Sequence, residues 1–148
     1  MENELHYTQI VYAGFWQRAV AMFIDFIIFI MLSVAFGLFL MLAVEGGVES
    51  ETLHSFVIIV FSVIWVLYYA LLQSSPWQAT IGKKIMKIKV TDLNVQRITF
   101  ARALMREIIK NIPYVILISW VPMLITEKKQ ALYDLMSGTV VVDNYFRY

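Results

Sequence analysis

Cysteine is absent from the 148 residues, so disulfides, thiolate nucleophiles and cysteine metal sites are excluded. Histidine is nearly as scarce, since His6 and His54 are too few and too scattered for a histidine cluster. Charge is short as well. Charged residues make up 16% of the chain against 60% hydrophobic, with a mean hydropathy of +0.70, a balance that leaves a soluble domain too little polar surface to cover itself. The solvent is therefore largely lipid. Also missing are a Gly-rich nucleotide loop, paired catalytic carboxylates and a serine–histidine arrangement, so catalysis has nothing to stand on and a non-enzyme without cofactor or metal is predicted. The formal net charge of +1 implies no nucleic-acid partner. At this length one domain, 1–148, is expected, with room for three or four membrane segments but not for a separate catalytic unit.

What is present is long apolar runs. Residues 19–44 contain one charged side chain, Asp25, and exceed the ~20 residues a helix needs to cross ~30 Å of hydrocarbon. The run ends at Val44-Glu45-Gly46-Gly47 and lacks the short apolar stretch and small-residue cleavage site of a signal peptide, so it reads as an anchor. Residues 55–76 form a second uncharged run with Trp77 just beyond it, where an interfacial aromatic belongs. A third segment, 108–126, is ambiguous: its uncharged part, 111–126, is short and carries Pro113 and Pro122. It either crosses, with Lys110 snorkelling at one end, or dips in and returns. Crossing puts Lys128, Lys129 and the tail on the far side, and returning keeps them with the N-terminus.

Orientation follows from charge. Glu45, Glu49 and Glu51 separate the first two runs with no Lys or Arg, whereas Lys83, Lys84, Lys87, Lys89, Arg97, Arg102, Arg106 and Lys110 follow the second. The positive-inside rule then predicts a multi-pass protein of the cell membrane with the basic segment and the N-terminus cytoplasmic. Within that segment Met86, Ile88 and Val90 alternate with Lys87, Lys89 and Thr91 at strand period. The strand either turns at Asp92-Leu93-Asn94 into a hairpin with 95–99 or pairs with 139–142, the latter only if both lie on one side. Ala101, Leu104, Met105, Ile108 and Ile109 share one helical face and Arg102, Arg106 and Lys110 another. This amphipathic helix either lies on an anionic membrane surface or packs inward on the bundle. The predicted fold class is all-α: a small membrane bundle of two transmembrane helices and a third transmembrane or re-entrant segment, with an interfacial helix and a short cytoplasmic β element. Lys83, Lys84, Arg102, Arg106 and Lys110 are the candidate contacts to lipid phosphate.

Asp25 lies inside the first run, where an unpaired charge costs several kcal/mol. Arg18 precedes it by seven positions, two turns away on the same face and ~10 Å off along the axis, too far for a direct bridge. Asp134, the acid beyond the third run, can supply the anion for Arg18. Three stretches in order, Phe15-Trp16-Gln17-Arg18-Ala19 through Ile24-Asp25, Gln78-Ala79-Thr80-Ile81-Gly82-Lys83-Lys84 with Ile88-Lys89-Val90, and Tyr133-Asp134-Leu135-Met136-Ser137-Gly138-Thr139-Val140-Val141, resemble the RDD family of small membrane proteins, named for one arginine and two aspartates. The resemblance covers most of the chain and puts those three residues at Arg18, Asp25 and Asp134. Tyr133 departs from it, because many members carry histidine there. The resemblance implies sodium–proton antiport, in which Asp25 and Asp134 alternate between proton and monovalent cation while Arg18 tunes them. So few segments enclose no pathway alone, so transport requires a homo-oligomer. The competing reading is an accessory or assembly protein in which the three charges clamp the helices and the basic face docks lipid or a membrane-protein partner.

Overall fold

The computed structural model describes residues 10–43 and 51–143; Glu45, Glu49 and His6 lie outside them. Two helices dominate, α1 (Phe15–Ala43) and α2 (Glu51–Ser74). Both are proline-free, and both contain windows long and apolar enough to cross a membrane, Phe15–Phe39 and Ser55–Ser74. They run antiparallel: Tyr68 meets Asp25, Trp65 meets Phe29 with ring centroids 4.4 Å apart, and Phe61 meets Phe36 at 5.3 Å. Only 11% of either window is buried, so most of the apolar surface faces outward and the solvent there is lipid or another helix.

A layer of shorter elements closes one end of the pair: α3 (Ile81–Ile85), β1 (Ile88–Asp92), α4 (Phe100–Lys110), α5 (Val115–Ile118), α6 (Val121–Ile125), α7 (Leu132–Ser137) and β2 (Thr139–Asp143). Thr80 and Thr99 start α3 and α4 by accepting from the backbone amides of Lys83 and Arg102. Gly138 ends α7 in the left-handed region at φ 63°, where a side chain is strained. Gly82 is required for another reason: a Cβ there would lie 2.1 Å from the carbonyl oxygen of Ala21, so only glycine lets α3 seat on α1.

The strand partner is β2. It pairs antiparallel with β1 in the register Val90↔Val141, and Tyr12 bridges Val142 on its other side. Ala13 donates to Val141 at 2.9 Å and Asp143 to Val11 at 2.8 Å, so both ends of the described chain are stitched into one patch. The alternative hairpin with 95–99 does not form. The Asp92 carboxylate accepts from the amides of Asn94 and Gln96, and this side-chain turn, with Val95 at φ 63°, takes the chain out of the extended region.

Two other expectations are corrected. The stretch 108–126 is not one helix, because α4 ends at Lys110 and α5 and α6 follow as short pieces, with Pro122 in the first turn of α6. None of these pieces can cross ~30 Å, and β2 returns to the side of β1, so the crossing version fails. The second concerns α4, whose charged side does not face out: Arg106 and Glu107 are buried, while Met105 and Ile108 are each 53% exposed. Helix α7 repeats the pattern, burying Tyr133, Asp134 and Ser137 and exposing Leu135 and Met136. Charge inside and apolar outside is the reverse of a soluble surface helix, and it suits elements bathed in lipid.

Candidate functional site

Asp25 and Asp134 each organise a buried cluster. Around Asp25 the donors are neutral: the Thr80 hydroxyl at 2.5 Å, the Gly82 amide at 2.7 Å and the Tyr68 hydroxyl at 3.1 Å. These come from α2 and from the start of α3, which the Gly82 contact brings against α1. No Lys or Arg lies within ion-pair distance of Asp25 among the described residues. Its cost in an apolar setting is met by hydrogen bonds alone, each stronger for having a charged acceptor.

Asp134 is held by arginines. Arg18 Nη1 pairs with Oδ2, and Arg106 Nη1 lies 2.7 Å from Oδ1. The Ala131 amide also donates to Oδ2 at 3.1 Å, so the carboxylate caps its own helix. Arg18 donates further to the carbonyls of Ala13 and Lys129, and Arg106 to Thr139 Oγ1 at 3.0 Å. Next to Arg106, Glu107 accepts from Gln73 Nε2 at 2.7 Å and from Lys110 Nζ at 3.4 Å. Burial alone would raise the Asp134 carboxyl, but Arg106 and Arg18 outweigh it and hold the group below its ordinary range. Burial likewise opposes ionisation of Glu107, and Lys110, Lys83 and Arg106 overcome it in the same direction.

The two clusters face a chamber of about 20 Å³ bordered by Arg18, Asp25, Tyr69, Lys83, Arg106 and Lys110, room for one water molecule. Lys83, 8% exposed, has its ammonium 5.7 Å from the Tyr69 ring centroid. Burial and the neighbouring Arg106 lower its pKa well below the usual lysine value, with Lys110 adding to them and Glu107 and Asp25 opposing.

The residues expected from sequence are thus divided. Arg18 and Asp134 are in direct contact, and Asp25 shares their chamber but not their ion pairs. Of the basic set, Lys83 and Arg106 are buried instead of lying at a phosphate surface, because α3 and α4 turn those side chains toward the carboxylates. Lys110 is half-drawn into the same cluster. Lys84 and Arg102 are exposed, with the Lys84 amine 3.5 Å from the Trp77 ring centroid. Sequence reasoning missed Glu107, Gln73, Tyr68 and Thr80. Glu107 carried a signal, as the one acid in α4 among Arg102, Arg106 and Lys110.

The RDD family model matches residues 12–138. The uncharacterized protein YxaI of Bacillus subtilis strain 168 is 32% identical over 145 residues, covering 88% of this chain and 96% of its own length. No solved structure matches the chain.

Proposed function

The chain belongs to the RDD family, and on that premise we propose that it is a non-catalytic accessory or assembly protein of the cell membrane. In this reading α1 and α2 both cross, the layer from α3 to β2 is cytoplasmic together with the N-terminus, and the outward apolar faces receive lipid or another membrane protein. Eight Lys and Arg between 83 and 110, against none between the two helices, support that orientation. The observation that carries the role is that the acids are already engaged. Asp134 is gripped by two arginines and Asp25 by three neutral donors, which suits a clamp and leaves neither carboxylate open as a cation ligand.

One observation favours the other reading, sodium–proton antiport by a homo-oligomer. Asp25 and Lys83 border the same small chamber, so a proton acceptor and a proton donor share one polar space. Flux separates the two. Proteoliposomes loaded with a pH-sensitive dye should show no sodium-driven pH change beyond that of empty vesicles. A change that the native chain supports and Asp25→Asn abolishes would establish antiport instead.

A further inference from the structure

Between α1 and α2 on the lipid-facing side runs an apolar groove of about 990 Å³, walled by Phe23, Phe26, Phe29, Phe61 and Trp65. It is at the top of the ~300–1,000 Å³ range of small-molecule sites and, like them, is mostly apolar with few polar groups. Those groups are at one end. Lys110 and Asn111 border it next to Ala19 and Met22, at the junction with the layer that holds the charge clusters.

We propose that this groove holds one acyl chain of an anionic phospholipid from the leaflet beside that layer, with the headgroup at Lys110 and Asn111. The inference deepens the accessory reading and rests on it for which leaflet supplies the lipid. Length argues first. On α1 the groove runs from Ala19 to Phe29 and on α2 from Val66 to Ile58, about 15 Å and 12 Å at 1.5 Å per residue, which is half of a ~30 Å hydrocarbon core. A single leaflet has that depth. A helix of a second copy would cross both leaflets and would leave Lys110 and Asn111 facing apolar side chains.

Charge argues second. Around the adjoining chamber Arg18, Lys83, Arg106 and Lys110 stand against Asp25, Glu107 and Asp134, an excess of one cation. Lys110 is the member of that set that also borders the groove. Its amine is within 3.4 Å of Glu107 and 4.3 Å of the Tyr69 ring centroid, which fixes it at the mouth, and Asn111 is exposed beside it. An anionic headgroup complements this end, whereas a zwitterionic one brings a second cation to it.

The test is native mass spectrometry of the full chain in mild detergent with equal phosphatidylglycerol and phosphatidylcholine. One phosphatidylglycerol per chain should be retained in preference to phosphatidylcholine. Lys110→Gln should weaken retention about fivefold, the effect of one lysine against an anionic headgroup, and Asn111→Asp, at an exposed position, should do the same without touching the Glu107 contact. Ser62→Phe, which fills the groove from an exposed site, should abolish it. Equal retention of both lipids, an unchanged Asn111→Asp, or a lipid-free dimer would each overturn the proposal. If Lys110→Gln fails to fold, Asn111→Asp decides the headgroup and Ser62→Phe the chain. None of these outcomes bears on sodium flux, so failure here leaves the accessory reading to its own experiment.

Discussion

Arg18 reaches three acceptors from three distant stretches: the carbonyls of Ala13 and Lys129 and the carboxylate of Asp134. Its side chain is 4% exposed and that of Asp134 is fully buried, so removing one strands the other without water. Such losses commonly cost ~3–5 kcal/mol. Arg18→Ala should therefore destabilise the protein strongly in detergent, and Arg18→Ala with Asp134→Ala should lose less than the sum of the single losses by about 1–3 kcal/mol, read from chemical unfolding of all four forms. Additive losses would mean that the pair does not interact. Arg18, Asp25 and Asp134 stand out in the sequence because charge near apolar runs is expensive. The donors to Asp25 do not, since Thr80 and Tyr68 are ordinary neighbours of any polar or aromatic stretch, and only the close approach at Gly82 brings them to the carboxylate.

Helix α4 shows why the sequence was legible in one respect and not another. Its periodicity separates an apolar face from a charged face, but periodicity does not say which face meets solvent. In water the charged face turns out; here Arg106 and Glu107 turn in, because Asp134, Gln73 and Thr139 offer partners that lipid does not. The long runs in α1 and α2 needed no such information, as hydropathy alone marks them, whereas Pro113 and Pro122 left 108–126 open until α5 and α6 resolved it. The inward charges make the fold acid-sensitive. Asp134 and Glu107 are both held below ordinary carboxyl values, so the unfolded chain binds protons at a higher pH than the folded one. Their contribution is then complete above the unfolded values near ~4 and is lost as pH falls through the folded ones. Unfolding midpoints in detergent should accordingly be level between about pH 7 and 5 and drop below about pH 4, with a shallower drop in Glu107→Gln. A midpoint that rises on acidification would contradict the assignment.

With β1, β2 and residues 11–13 in one patch, the described ends of the chain share a side, and α1 and α2 together make an even number of crossings. The chain has no native cysteine to interfere with labelling. Impermeant thiol reagent applied to intact cells should therefore modify Glu49→Cys and spare Lys87→Cys; modification of position 87 alone would invert the orientation.

The stitching of Val11 and Ala13 to Val141 and Asp143 also orders events in time. Residues 10–43 leave the ribosome long before 130–143 exist, so Arg18 waits beside the membrane without its carboxylate while α2 and the layer are still being made. Contacts this far apart in sequence form late. Translation ends only a few residues past β2, and the last strand to emerge is the one that locks the first segment down. A nascent chain cut short anywhere before Asp134 therefore keeps an unpaired arginine and a loose N-terminal strand, a state that proteolytic quality control can distinguish from the finished protein.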